Sequence, residues 1–260
     1  MLITLTTDFG LQDPYAGIMK GVIAGINPKA AVVDLTHGIP AQEIWPGALT
    51  LRHSIRYFPR GTIHVAVVDP GVGSARRPLL IECDGNYLIG PDNGLLSLAV
   101  GRQATLRIVH LSNSAYHLQP TGTTFHGRDI FAPVSAHLSL GVPLDAFGAR
   151  AEDFVRLPFP EVVARGNEII GEIIYADKFG NLFTNIAEHD LTGRPGGRYE
   201  IVLGKNRISG VAPNYAAARA CDFVAVINSW GLLEIAVNRG SAQERSGAMI
   251  GDKVQLFGPS

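Results

Sequence analysis

The clearest sign of the fold is the segment IHVAVVDPGVGSARR, residues 63–77. Its apolar, β-branched part, Ile63 to Val68, predicts a buried parallel strand. The strand is followed at once by a carboxylate, a turn with two glycines and two guanidinium groups. Asp69 is therefore expected at the carboxyl end of the strand, where open α/β sheets place their ligand sites. Because glycine lets the backbone fold back, Arg76 is expected to return towards Asp69.

Two other motifs predict polar side chains at the ends of elements. TTDFG at 6–10 follows the first predicted strand, and TTFHGRD at 123–129 places His126 before an apolar helix over 130–140. Each motif has a plain structural alternative. Aspartate before Pro-Gly commonly caps its own turn, His126 fits a cap or a core residue, and Arg76 fits a solvated surface. Their occurrence together at strand ends favours a single site.

The first part of the chain alternates strands and helices, which predicts a largely parallel sheet covered on both faces. Asp13-Pro14 is typical of the N-cap and first turn of a helix that continues to about Ile26. The predicted strands are 2–6, 31–35, 63–68, 79–82 and 87–89. The predicted helices are the one that follows Asp13-Pro14, 46–58, a short one from Gly94 through Val100, and 130–140.

The pattern changes after residue 140. Residues 141–166 contain three prolines and lack a long period, as a linker would. Short strand-like runs separated by Gly, Pro and Asn turns then predict an antiparallel β domain. These runs are 169–175, 182–186, 199–203, 223–227, 232–237 and 254–257. We expect an N-terminal α/β catalytic domain over 1–150, a linker over 151–166 and a smaller, barrel-like β domain over 167–260.

Composition limits the classes of function. The 260 residues are 46% hydrophobic and 17% charged, with a formal net charge of −1, so nothing predicts binding to nucleic acid or an anionic membrane. Cys83 and Cys221 fit no metal spacing and are expected to be buried free thiols, which suits a reducing compartment. Without a leader-like or membrane-spanning run, the expected location is cytoplasmic.

The motifs also exclude several kinds of chemistry. Gly71-Val72-Gly73 lacks the lysine and hydroxyl of a P-loop, no GxSxG motif is present, and the eight histidines form no zinc spacing. No metal or other cofactor is expected. Asp, Arg and His without a nucleophile of their own point to an activated water.

The ordered motifs resemble those of the S-adenosyl-L-methionine hydroxide adenosyltransferases, which are related to the fluorinating and chlorinating enzymes. The matching motifs are TTDFG at 6–10, DPGVG at 69–73 with Arg76-Arg77, GPDNG at 90–94, FHGRD at 125–129, DKFGNLFTN at 177–185 and Asn228-Ser229. The resemblance implies the two-domain fold described above. It also implies a homotrimer whose sites lie between one subunit's N-terminal domain and the next subunit's C-terminal domain.

The resemblance assigns roles residue by residue. Asp69, Arg76 and His126 match the water-activating residues, and Asp8 matches the carboxylate that holds the ribose hydroxyls. Asp13 and Tyr15 match the segment that receives the methionine carboxylate, and Asp177 matches the partner of the ammonium. Asn181 matches the adenine contact, and Phe183 matches a ring beside the base. Tyr215 aligns only loosely with the aromatic residue that stacks on adenine. Further expected substrate contacts within the motifs are Phe125, Gly127 and Ser229.

The implied reaction is hydrolysis of S-adenosyl-L-methionine to adenosine and L-methionine by in-line attack of activated water on the ribose C5′. Two alternatives remain: a halide-dependent enzyme that cleaves the same substrate, and a non-catalytic sensor of S-adenosylmethionine or adenosine. Halide-using relatives carry tyrosine at Asp69, tyrosine at His126 and serine at Gly127, which speaks against halogenation. Sequence leaves open whether Asp69 or His126 is the base.

Overall fold

The computed structural model describes residues 1–101, 105–191 and 199–258. The chain divides into two compact units, Met1–Pro158 and Phe159–Ser260. None of the helices within the described residues is long and apolar enough to cross a membrane.

The first unit is built on a seven-stranded mixed sheet. Its strands are β1 (Leu2–Thr7), β2 (Ala31–Thr36), β3 (Ile63–Val67), β4 (Pro78–Cys83), β5 (Asn86–Pro91), β6 (Leu106–His110) and β7 (Arg150–Ala151). They lie in the order β2-β1-β3-β5-β4-β6-β7. Strands β2, β1, β3 and β5 pair parallel to one another. Strand β4 pairs antiparallel with β5 and β6, and β6 pairs antiparallel with β7. The predicted α/β fold is thus confirmed, and the antiparallel half adds β6 and β7, which the sequence patterns did not indicate.

Helices cover both faces of this sheet. They are α1 (Tyr15–Ile26), α2 (Ile44–Ser54) and α3 (Ala132–Ser139). Alternate residues of β3 pack into two different cores, since Val65 lies in the core formed with α1 and α3, and Ala66 lies in the core formed with α2. Burial on both faces explains why β3 reads as a continuous apolar run.

Some local predictions for the first unit are wrong. Helix α1 has Pro14, not Asp13, at its N-cap position, and no side chain caps it. The short helix expected to end at Val100 is only a 3₁₀ turn, Ser97–Ala99. The predicted helix 130–140 begins earlier, as a π-helical turn over Gly127–Phe131 that leads into α3.

The second unit is an antiparallel barrel-like sheet, as predicted. Its strands are β8 (Val163–Arg165), β9 (Glu168–Ala176), β10 (Leu182–Ala187), β11 (Glu200–Leu203), β12 (Asn206–Ser209), β13 (Phe223–Ile227), β14 (Leu232–Val237) and β15 (Lys253–Phe257). The order is β12-β11-β15-β9-β10-β14-β13, with β8 beside β9, and β12 also contacts β13. The described residues of this unit also form two short helices, α4 (Glu188–Leu191) and α5 (Ala242–Ser246).

Both cysteines are free thiols, but only one of them matches the expected burial. Cys83 is buried, whereas Cys221 is exposed, so the expectation of a buried thiol is wrong for Cys221. Cys221 lies in the turn just before β13, with a φ of 67°, and so precedes the strand whose residues enter the core.

Candidate active site

A cavity of about 420 Å³ opens at the carboxyl ends of the parallel strands in the first unit. Seven of the residues expected at the site line it, and they come from three separate segments of the chain. They are Asp8, Asp13, Tyr15, Asp69, Phe125, His126 and Gly127. The three polar motifs therefore converge at one sheet edge, as parallel strands require.

Asp69 and Arg76 form a two-point ion pair beside this cavity. The Arg76 Nε–H donates to Asp69 Oδ1 at 2.9 Å, and Arg76 Nη2 donates to Asp69 Oδ2. The two side chains are only 5% and 8% exposed, respectively, so the pair is shielded from bulk solvent, and Asp69 borders the cavity. A bidentate pair of this kind fixes the plane of the guanidinium as well as its position.

The glycine turn makes this pair possible. The Val72 N–H donates to the Asp69 carbonyl at 3.1 Å, which folds the chain back directly after β3. Gly73 has a φ of 77°, and a Cβ there would lie 2.3 Å from the Thr123 carbonyl oxygen. Glycine is thus required both by the backbone conformation and by the close approach of the His126 segment.

The neighbouring guanidinium serves a different purpose. Arg77 Nε donates to Asp92 Oδ2 at 2.8 Å, and Arg77 Nη2 donates to Asp153 Oδ1 at 2.9 Å. Arg77 therefore connects the end of β5 to a later loop of the same unit. The sequence offered two adjacent arginines, and in the structure only Arg76 pairs with the cavity-lining Asp69.

His126 contacts the same guanidinium from the other side. Its Nδ1 lies 2.6 Å from Arg76 Nη2. An arginine has only donors, so Nδ1 must be the unprotonated acceptor, and a neutral ring then carries its proton on Nε2. Burial lowers the pKa of His126, and the charge of Arg76 lowers it further, against the opposing effects of Asp69, Asp129 and the Gly122 backbone. His126 is therefore neutral near pH 7.

One part of Arg76 has no protein partner. Its Nη1 is buried and donates to no protein group in the described part of the chain. A buried guanidinium N–H without an acceptor costs free energy and is uncommon in folded proteins. The guanidinium also lies 5.5 Å from the centre of the Phe131 ring.

The apolar side of the cavity is a cluster of three rings. Phe9, Tyr15 and Phe125 pack edge-on or tilted, with centroids 5.3 to 5.7 Å apart. Beside them, Asp8 accepts the Gln42 N–H at Oδ2 over 2.8 Å. The cavity thus joins a carboxylate and an apolar wall to the guanidinium cluster.

The remaining predicted residues lie in the second unit. Asp177 Oδ1 accepts the N–H groups of Phe179 and Asn181, each at 2.9 Å, and Asp177 Oδ2 accepts Asn181 Nδ2 at 3.1 Å. Phe183 packs against Tyr175 and Trp230, with centroids 5.5 and 4.8 Å away. The structure brings Asp177 and Asn181 together in one turn and places Phe183 in an aromatic cluster. Ser229 is exposed and immediately precedes Trp230.

The Tyr215 hydroxyl donates to Glu234 Oε1 at 2.7 Å. Glu234, which sequence reasoning missed, is 1% exposed, and burial raises its pKa. A carboxylate inside the apolar run 232–237 was an available signal, since buried carboxylates are rare without a partner. His37, a buried residue beside Thr7, was also missed.

The chain thus has the features of a class of two-domain proteins. A mixed α/β unit carries a shielded carboxylate–guanidinium pair and a half-buried imidazole at its sheet edge, and a β-barrel-like unit follows it. Residues 3–148 match the SAM hydroxide adenosyltransferase N-terminal domain, and residues 171–255 match the corresponding C-terminal domain. The chain therefore belongs to the SAM hydroxide adenosyltransferase family.

Individual proteins agree with this placement. An (R)-S-adenosyl-L-methionine hydrolase from Thermus thermophilus is 41% identical over 96% of this chain and 97% of its own length. A fluorinase from Actinoplanes sp. is 29% identical over 91% of each protein. The crystal structure of an uncharacterized conserved protein from Thermotoga maritima covers 99% of this chain and 100% of its own, with a TM-score of 0.89 and 32% identity.

Proposed function

We propose that this protein hydrolyses S-adenosyl-L-methionine to adenosine and L-methionine. The observation that carries the proposal is the shielded Asp69–Arg76 ion pair with the half-buried His126 at the cavity. A halide ion would need hydrogen-bond donors and no fixed negative charge beside it. Asp69 lines the cavity, and its carboxylate would repel a halide there. Water is therefore the nucleophile that suits these charges.

In the proposed mechanism a water oxygen in the cavity lies beside the Asp69 carboxylate, which Arg76 holds in place. The water attacks the ribose C5′ from about 3 Å, in line with the departing sulfur. The bond from oxygen to C5′ forms, the bond from C5′ to sulfur breaks, and sulfur keeps the electron pair as the neutral thioether of methionine. The water proton passes to Asp69 and then to solvent.

The charges favour this step in a site that excludes water. Free water has a pKa of about 15.7, so removing its proton is the difficult part of the reaction. Arg76 stabilises the negative charge that develops on the oxygen, and that charge neutralises the sulfonium as the bond forms. The surrounding low dielectric strengthens both effects.

We assign the base to Asp69 rather than His126. The His126 Nδ1 lone pair is occupied by Arg76, and its Nε2 already carries a proton, so the neutral ring has no free basic nitrogen. Each Asp69 oxygen accepts one bond from Arg76 and retains a further lone pair. His126 then holds Arg76 in place.

The other proposed contacts follow the family resemblance. Asp8 binds the ribose hydroxyls, and Asp13 and Tyr15 at the beginning of α1 receive the methionine carboxylate, where free backbone amides favour an anion. The rest of the substrate is assigned to two cavity residues and five residues of the second unit. These are Phe125, Gly127, Asp177, Asn181, Phe183, Tyr215 and Ser229.

We also propose a homotrimer and a cytoplasmic location. The trimer rests on the family resemblance, and light scattering coupled to size-exclusion chromatography tests it. The location is supported by two cysteines that are both free thiols.

The deciding experiment incubates the protein with S-adenosyl-L-methionine in ¹⁸O-labelled water, with and without chloride or fluoride, and identifies the products by mass spectrometry. We expect adenosine with the label at its 5′ oxygen under every condition. A 5′-halogenated nucleoside as the main product would support the halide-dependent alternative. Tight binding of the intact substrate without turnover would support a sensor.

A further inference from the structure

A buried histidine outside the reacting cluster connects two loops at the cavity edge. His37 is 4% exposed and follows the end of β2. Its Nδ1 lies 2.8 Å from Thr7 Oγ1, and its Nε2 lies 3.0 Å from Asp34 Oδ1. Thr7 is the last residue of β1 and directly precedes Asp8.

The hydrogen bonds around His37 have one consistent direction. The Phe9 N–H donates to Thr7 Oγ1 at 3.2 Å, so the Thr7 hydroxyl hydrogen is available for His37 Nδ1. The His37 Nε2 lies close to the Asp34 carboxylate at 3.0 Å, but the geometry of this contact is not that of a hydrogen bond. Two backbone bonds join the same loops: Gly10 N–H to the His37 carbonyl at 2.8 Å, and Ile39 N–H to the Thr7 carbonyl at 3.3 Å.

Asp34 extends this network to helix α1. Lys20 Nζ donates to Asp34 Oδ2 at 2.5 Å. Burial opposes ionisation of Asp34, but the hydrogen bond from Lys20 and the proximity of His37 prevail and lower its pKa. Asp34 is thus a carboxylate at neutral pH, which favours a proton on His37 Nε2 and a free lone pair on Nδ1.

We propose that His37 is a positioning residue for the substrate site. Through Thr7 it fixes the backbone that carries Asp8 and Phe9, both of which line the cavity. His37 also lies beside the Asp34–Lys20 ion pair, which joins β2 to α1, the helix that begins at Tyr15. The link to substrate rests on the proposed function, because Asp8 and Tyr15 are there assigned to the nucleoside and the methionine.

The chain contains a matched control for this relay. Thr4, on the same strand as Thr7, is also fully buried, and its Oγ1 lies 2.8 Å from Nδ1 of the buried His64. This second pair lies within the paired part of β1 and β3, and neither of its residues lines the cavity. Thr7→Val and Thr4→Val therefore remove the same hydroxyl from the same kind of pair.

The test compares Thr7→Val and His37→Ala with Thr4→Val and His64→Ala. Hydrogen exchange of the peptide that contains Phe9 and Gly10 should become faster in the first two variants only. In those two, KM for S-adenosyl-L-methionine and Kd for adenosine should rise about tenfold, as expected for one lost hydrogen bond, while kcat stays within about twofold. His37→Asn should recover part of the loss, because its amide oxygen can accept the Thr7 hydroxyl.

Three results would overturn the inference. Unchanged exchange in the Thr7 and His37 variants would refute the relay itself, and faster exchange with unaltered KM and Kd would refute its role at the site. Equal kinetic losses in the Thr4 and His64 variants would reduce the effect to general destabilisation. Hydrogen exchange needs no substrate, so a wild-type protein that leaves S-adenosyl-L-methionine intact would refute the proposed function separately.

Discussion

Replacing His126 by asparagine separates the two candidate bases. The asparagine oxygen can lie where Nδ1 lies now, 2.6 Å from Arg76 Nη2, and accept the same N–H. An amide cannot take a proton at neutral pH. If His126 only holds Arg76, the variant should keep kcat within about tenfold of wild type, since a longer or bent hydrogen bond costs about 1 kcal/mol.

Asp69→Asn supplies the scale for this comparison. Loss of a general base lowers the rate about 10²- to 10⁴-fold, which corresponds to roughly 3 to 5 kcal/mol of barrier. The substitution also leaves a buried guanidinium without its counter-charge, which costs stability of about 3 to 5 kcal/mol. His126→Phe, which removes the acceptor altogether, should fall between the two, with a loss of about 10- to 100-fold from one charged hydrogen bond of roughly 1.5 to 3 kcal/mol.

The assay is single-turnover formation of adenosine, followed by chromatography from pH 5 to 9. Circular dichroism of each variant confirms that it is folded. The rate constant is expected to decrease in the order wild type, His126→Asn, His126→Phe and Asp69→Asn. If His126→Asn were as slow as Asp69→Asn while remaining folded, His126 would be the base, and the tautomer inferred from the Arg76 contact would be incorrect.

Three further predictions concern the turn, the ribose contact and the buried histidines. Gly73→Ala should lower both the melting temperature and the activity, because the residue has a φ of 77° and its Cβ would lie 2.3 Å from a carbonyl oxygen. As a control, Gly71→Ala would make only ordinary contacts and should change neither quantity. Thermal melts and rate assays test both variants. Asp8→Ala should weaken adenosine binding by about 10- to 100-fold, the cost of a charged hydrogen-bonding partner, and calorimetry that gave wild-type affinity would remove the ribose assignment. Burial lowers the pKa of both His53 and His64 from 6.5 to about 4. Between these two pH values the unfolded chain binds more protons than the folded protein. Each residue should therefore cost about 3 kcal/mol of folding stability once the pH has fallen below the lower value. Urea unfolding at pH 7.5 and 5.0 should detect about 2 kcal/mol of this loss for each residue, and equal midpoints would contradict it.

The sequence by itself determined the features that depend on neighbouring residues. The run 63–68 predicted a strand because burial on both faces leaves a continuous apolar stretch, and the glycines after Asp69 predicted the return of Arg76 because only a few residues separate the two charges. The short strands of the second unit were predicted from strand-like runs that are separated by Gly, Pro and Asn turns. Alternating burial and turn chemistry act over a few residues, so they are visible in the chain.

Tertiary structure decided which distant groups meet. Arg76 and His126 are 50 positions apart, and no local pattern states that the guanidinium donates to Nδ1 or that Arg77 turns away to Asp92. The pairing of His37 with Thr7 follows from two parallel strands 30 positions apart whose ends coincide in space. Each of these contacts depends on strand order and on the packing of loops at the sheet edge. Those are properties of the whole core, because the energies that select one order from its alternatives are spread over many long-range contacts.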